Sequence, residues 1–160
     1  MSKPFIEIIQ FENRYAGDFK RLNLEWLEKY FKLEADDLEM FSQPNLIVEQ
    51  GGALLLAKCG DEIVGTCAVI NQGDGQFEVS KTSVTPSFQG HGIGRRLVLA
   101  AIDSFKGLGG KELHLETNSV LSTAITLYES LGFVHAPQPK PSSLSRTNVY
   151  MKYRPADQLK

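Results

Sequence analysis

The chain sets 17 Lys and Arg against 19 Asp and Glu in 160 residues, a formal charge of −2, with 42% hydrophobic and 22% charged residues. This balance excludes the basic excess of a nucleic-acid binder. It fits one globular domain over residues 1–160, large enough to bury a core without disulfides or metals. No stretch approaches the roughly 20 apolar residues needed to cross a bilayer, and the opening MSKPFIEIIQFENR carries neither a signal-peptide nor an anchor pattern.

Residues 5–10 are a short apolar run and predict a first strand. Residues 16–31 predict a helix, because Phe19, Leu22, Trp26 and Tyr30 recur at helical spacing with Lys20, Arg21, Glu25 and Lys29 between them. A shorter helix follows over 35–41, with acidic residues in its first turn and Pro44 as its stop. The period then changes to that of strands. Residues 53–59 and 62–70 flank a Gly60-Asp61 turn, 71–75 (NQGDG) is a second turn, and 76–84 is a third strand. These three strands form an antiparallel meander. A glycine-rich stretch leads into a helix over 93–108, whose apolar stripe is Ile93, Leu97, Val98, Ala101, Ile102 and Phe105. Gly109-Gly110 ends it. A strand over 111–117, an amphipathic helix over 120–131 stopped by Gly132, a strand over 133–136, a proline-rich loop over 137–143 and a last strand over 146–153 complete the chain. The order β-α-α-β-β-β-α-β-α-β-β describes an α/β or α+β fold, a mixed sheet flanked by helices.

The segment 84–96 (VTPSFQGHGIGRR) carries the chemistry. A strand ends, the chain turns through Gly90, Gly92 and Gly94, and a helix begins. The glycines admit positive φ and keep side chains out of a ligand's path. The first amides of a helix have no internal partners and, with the helix dipole, form an anion site suited to a pyrophosphate. Arg95 and Arg96 add positive charge beside it. A P-loop is excluded, since Gly94 is followed by two arginines rather than Lys and Ser or Thr. A Rossmann fingerprint is excluded because Arg95 stands where its third glycine belongs and no βαβ unit precedes it. The bland alternative is a plain turn at the start of a helix.

Gln89-x-x-Gly92-x-Gly94 resembles the coenzyme A loop of the GNAT superfamily of N-acetyltransferases. The later segment 118–133 (NSVLSTAITLYESLGF) resembles that family's second signature, an Asn after a strand and then a helix ending Leu-Tyr-x-x-x-Gly-Phe. The order of elements agrees over nearly the whole chain. The resemblance implies a mostly antiparallel central sheet and an enzyme, an acetyl-CoA-dependent N-acetyltransferase acting on a primary amine by direct attack in a ternary complex. It implies coenzyme A as co-substrate and no metal. The alternative is a non-catalytic acyl-CoA sensor or interaction module of the same fold.

Acetyl transfer requires that the amine lose its proton, whose pKa in an alkylammonium is about 10.4, that the carbonyl be polarised, and that the thiolate leave. The resemblance implies that Ser83, Val84 and Thr85 bond the pantetheine, with the Val84 amide as oxyanion donor. Gln89, Gly90, His91, Gly92, Ile93, Gly94 and Arg95 are expected at the pyrophosphate. Glu78 lies six residues before Val84, and even spacing puts the two on one strand face. Some members of the family it resembles place a general-base glutamate at this offset, which makes Glu78 the candidate base, acting directly or through water. Its bland reading is an exposed glutamate or a partner of Lys81. Tyr128, on the helix face of Leu121, Ala124, Ile125 and Leu131, is a core tyrosine or, by resemblance, the general acid. Asn118 is a helix cap or a pantetheine contact, and Ala124 is placed with the coenzyme.

Cys59 and Cys67, in apolar strands, read as free thiols of a reducing cytoplasm. No neighbour activates either for an acyl-cysteine route. His91, His114 and His135 have no metal-ligand spacing, and His114, between Glu112 and Glu116, reads as part of a solvated face. By resemblance the first two helices wall the acceptor site, with Trp26 and Tyr30 as substrate contacts. Glu34, Asp36, Asp37 and Glu39 are a solvated cluster or a recognition surface for a cationic acceptor. A homodimer through the last strands is a further expectation.

Overall fold

The run ALLLAKC alternates without a polar side: Leu54 and Leu56 pack to one face of the sheet, Leu55 and Ala57 to the other, and all four are buried. A strand buried on both faces needs helices on both. The computed structural model, which describes residues 5–30, 35–139 and 147–155, provides them. Strands β1 (Glu7–Gln10), β2 (Ala53–Cys59), β3 (Glu62–Gly73), β4 (Gln76–Val84), β5 (Glu112–Thr117), β6 (Phe133–His135) and β7 (Val149–Tyr153) form one sheet of order β1-β2-β3-β4-β5-β7-β6. The pairs are antiparallel except β4–β5, which is parallel.

Helices α1 (Ala16–Tyr30), α2 (Ala35–Ser42) and α3 (Asn45–Glu49) cover one face. Their buried Phe19, Phe41 and Ile47 meet Leu54 and Ala68, and Phe19 and Phe41 pack edge to face with centroids 5.9 Å apart. Helices α4 (Ile93–Gly107) and α5 (Ser122–Ser130) cover the other. The six apolar residues predicted for α4 are its buried face, and Phe105 packs edge to face on Phe77. The parallel joint is where α4 crosses from β4 to β5, as such connections require.

Four details differ from the sequence reading. Pro44 does end α2, but its φ of −62° also starts the short helix α3. β3 runs through Asn71 to Gly73, so the second turn narrows to Asp74 and Gly75. Helix α5 begins at Ser122, because Asn118 holds residues 119–121 in a turn ahead of it. The last strand is seen from Val149, and Arg146 lies outside the described residues. Among those residues no helix is long and apolar enough to cross a membrane.

Candidate active site

β4 and β5 pair only from Gln76/Glu112 to Val79/Leu115. Beyond that point β4 continues to Val84 and β5 to Thr117 without pairing to each other, so the sheet is split at its centre. A cavity of about 160 Å³ occupies the split. It is lined by Val79, Ser80, Lys81 and Thr82 of β4, by Glu116 and Thr117 of β5, by Asn23 and Leu27 of α1, and by Leu121, Ala124, Leu127 and Tyr128 at α5. Residues from both helical layers thus meet through the gap. The open edge of β4 is a ready template for an extended ligand, since unpaired strand amides and carbonyls seek partners.

The opening of the split is shaped by a bulge. Across β3 and β4, Thr66 faces Ser83 and Ala68 faces Ser80, so β4 carries one residue more than its partner. Lys81 sits there at φ +54°, a strained value for a residue with a Cβ. Its carbonyl accepts a hydrogen bond from Thr66 Oγ1 at 2.9 Å, and Asn23 Nδ2 donates to the same hydroxyl oxygen at 3.2 Å. Asn23 and Thr66 are 2% and 0% exposed. Buried polar side chains of this kind persist where they hold a backbone shape.

The bulge also reverses the expected geometry of Glu78 and Val84. Glu78 is opposite Ile70 and Val84 opposite Gly65, an odd separation on β3, so the two side chains lie on opposite sheet faces rather than one. Glu78 points to the α2–α3 side. It lines a second cavity of about 370 Å³ with Glu39, Met40, Ile47, Ile70, Ser80 and Lys81. Tyr128 lies on the other side, packed edge to face on Phe133 at 5.8 Å. The two cavities share Ser80 and Lys81, so the carboxyl and the phenol approach the gap from opposite faces.

Their environments are distinct. Burial pushes the Glu78 carboxyl from 4.5 up to about 7; the nearby Glu116 adds to this and Lys81 opposes it. Burial pushes the Tyr128 phenol to about 12, with Cys67 adding and a hydrogen bond with Thr82 opposing. A carboxyl poised near 7 and a phenol kept protonated are suited to accept and to donate a proton, respectively, at neutral pH.

At the end of β4, Thr85 donates its amide to the Val64 carbonyl at 2.8 Å. Strand alternation therefore turns the Val84 amide away from β3. Gln89 Nε2 donates to the Val84 carbonyl at 3.1 Å and ties the loop to the strand. Gly90 and Gly92 have φ of +84° and +77°, and a Cβ at either would meet no protein atom within 4 Å. Gly94 has no such conformation. It lies in α4, where a Cβ would stand 3.7 Å from Leu127, an ordinary van der Waals contact. The first intrahelical bond of α4 runs from the Arg96 amide to the Gly92 carbonyl at 3.2 Å. The amides ahead of it have no partner within the helix.

The model of the acetyltransferase (GNAT) family matches residues 18–133, more than half of the chain. This chain belongs to that family. An uncharacterised N-acetyltransferase of Escherichia coli, YjgM, is 32% identical over 100 residues, which cover 61% of this chain and 56% of that protein. The chain thus spans little more than half of that relative's length. A GNAT-family acetyltransferase of Staphylococcus aureus superimposes with a TM-score of 0.85 at 21% identity, covering 92% of this chain and 98% of that one. YncA of Salmonella typhimurium, a putative acetyltransferase solved with acetyl-CoA, gives 0.73 at 19% identity, covering 94% of each chain. At these identities the structures speak for the GNAT fold.

Other residues read from the sequence take varied places around the GNAT cleft. Ser83 is buried and bonds the Leu22 carbonyl at 3.4 Å, so its side chain ties β4 to α1. Ile93 is 2% exposed and offers a ligand only its amide. His91 is exposed in the loop, and Arg95 reaches Ser130 Oγ of α5 at 3.2 Å. Asn118 lines the split and accepts the Val120 amide at 2.9 Å, so it caps the turn and borders the cavity at once. The side chains of Trp26 and Tyr30, with Glu34, Asp36 and Asp37, lie outside the described residues. His114 corrects the reading of a solvated face: it is 12% exposed and stacks on Tyr150 with centroids 5.4 Å apart. Asn23, Thr66 and the Lys81 bulge were missed. Their signal was polar residues interrupting apolar runs, Asn23 between Leu22 and Leu24 and Thr66 within IVGTCAVI.

Proposed function

We propose that this chain is an N-acetyltransferase that moves an acetyl group from acetyl-CoA to a primary amine by direct attack in a ternary complex. The observation that carries this reading is the split between β4 and β5, with a carboxyl poised near 7 on one side and a protonated phenol on the other. The residues present fit coenzyme A. Gly90 and Gly92 leave space where a side chain would stand, the first amides of α4 have no partner within the helix, and Arg95 lies beside them. Gln89 through Arg95 would hold the pyrophosphate. The edge of β4 at Ser83, Val84 and Thr85, with Asn118 and Ala124 across the gap, would hold the pantetheine.

When bound, acetyl-CoA supplies a thioester already activated for transfer. Glu78 takes the proton of the attacking amine, directly or through water, from the α2–α3 side. The Val84 amide, turned away from β3, donates to the oxygen that gains charge. Tyr128 gives its proton to the departing sulfur from the α5 side. Cys67 takes no covalent part: burial pushes its thiol up to about 12, far from the thiolate a nucleophile needs. Free Cys59 and Cys67 are in keeping with a reducing, cytoplasmic setting.

The test is a pair of variants measured for both binding and turnover. Tyr128→Phe and Glu78→Gln should keep acetyl-CoA affinity in calorimetry and lose roughly 10²- to 10⁴-fold in amine-dependent thiol release. Unchanged rates in both would remove the proposed roles. Affinity for acetyl-CoA without release against any amine, in the unmodified chain, would make it a binding module instead.

A further inference from the structure

Glu78 and His114 are direct register partners across the parallel β4–β5 joint, so their side chains emerge on the same face, next to each other. His114 Nε2 lies 3.8 Å from Glu78 Oε2, and the two side chains are 12% and 19% exposed. The imidazole is held against Tyr150 of β7, stacked at an interplanar angle of 28°. Nothing in the acetyl-transfer reading uses this histidine. A separation of 3.8 Å exceeds a hydrogen bond, so the coupling acts through charge rather than a shared proton.

We propose that His114 is a positioning residue for Glu78, an imidazole whose protonated form steadies the carboxylate and so sets the pH range in which Glu78 can take a proton from the acceptor. The proposal rests on reading Glu78 as the base. Its physics is simple. A carboxylate in a half-closed pocket loses hydration and tends to protonate. An imidazolium at ion-pair distance restores the balance, and histidine is the side chain whose charge changes in that range. Stacking on Tyr150 fixes the ring, so little rotamer entropy is lost in making the pair.

Other charges face the same pair. Lys81 on β4 and Glu39 on α2 share the cavity with Glu78. Glu116, two residues along β5, accepts Gln138 Nε2 at 2.8 Å. Lys152 on β7 is the register partner of His114, and the Glu112–Arg154 ion pair at 2.9 Å lies at the near end. The Tyr150 phenol is pushed up by burial, then by Glu112, Glu116 and Glu78, with Arg154 opposing. Glu78 and His114 thus face each other among several further charges, of which Glu116 and Lys81 act on the Glu78 carboxyl in opposite directions.

The chain has three histidines, so their ring protons can be followed by NMR and assigned with His91→Gln and His135→Gln. Glu78→Gln should lower the His114 midpoint by about one pH unit, and Glu116→Gln should lower it less. No shift in Glu78→Gln, or a larger one in Glu116→Gln, would overturn the pairing, and this readout needs no acceptor. With an amine that gives thiol release, His114→Gln should move the acid limb of kcat/KM upward by a similar amount while backbone NMR shows the fold intact. An unmoved acid limb in a folded variant would also overturn it. Failure of the base reading looks different: Glu78→Gln would then retain full turnover whatever the histidine does.

Discussion

Replacing Glu78 by Gln gives a prediction about stability that is independent of any substrate. The carboxyl ionises near 4.5 in an unfolded chain and near 7 in the folded one. Between those values the folded state holds a proton that the unfolded state has released. Stability therefore falls as pH rises from about 4.5 to 7, and the full cost is present above 7. At about 1.4 kcal/mol per pH unit, the shift corresponds to roughly 3 kcal/mol. Glutamine is similar in shape and has no such cost. Glu78→Gln should match the unmodified protein near pH 4 and exceed it by about 3 kcal/mol at pH 8. In a chain of this size that is an advantage of roughly 6–12 °C in Tm. Urea unfolding followed by circular dichroism at a series of pH values measures it. A stability difference that stays constant from pH 4 to 8 would refute the buried, up-shifted carboxyl and with it the ground for calling Glu78 a base.

Further substitutions test the other parts. Tyr128→Phe removes only a hydroxyl and should leave Tm within a few degrees while thiol release collapses; parallel losses in both would mark Tyr128 as a core residue alone. Gly92→Ala places a Cβ at φ +77° and should cost about 1–2 kcal/mol. It should also weaken acetyl-CoA binding in calorimetry, whereas unchanged affinity would separate the loop from the coenzyme. Thr66→Val deletes the hydroxyl that holds the Lys81 carbonyl and receives Asn23. It should cost about 1–3 kcal/mol in unfolding experiments and lower kcat more than it raises KM.

The helices and strands were legible because their periods are strong. The α4 stripe from Ile93 to Phe105 is buried as its spacing requires, and the meander of β2, β3 and β4 follows from alternation and turn residues. The positive φ of Gly90 and Gly92 was legible in the glycine-rich stretch, whereas Gly94 lies within α4 without one. The bulge at Lys81 was not legible. Neither Lys81 nor Thr82 is a residue that advertises a left-handed conformation, and the extra residue is fixed from a distance by Thr66 and Asn23. A period-two argument for Glu78 and Val84 fails for that reason alone. The surroundings of His114 were hidden similarly. Alternation placed it between two glutamates, but the stacking Tyr150 and the facing Glu78 come from β7 and β4, remote in sequence. Helix α3 escaped because Pro44 both stops one helix and starts the next.

The central claim is that the split between β4 and β5 holds acetyl-CoA and passes its acetyl group to an amine. Thiol release from acetyl-CoA, measured against a panel of small amines, amino acids and peptides and run beside calorimetric titration of acetyl-CoA alone, tests it most directly. The account predicts saturable coenzyme binding and release that depends on at least one amine. A chain that binds no acetyl-CoA would contradict it.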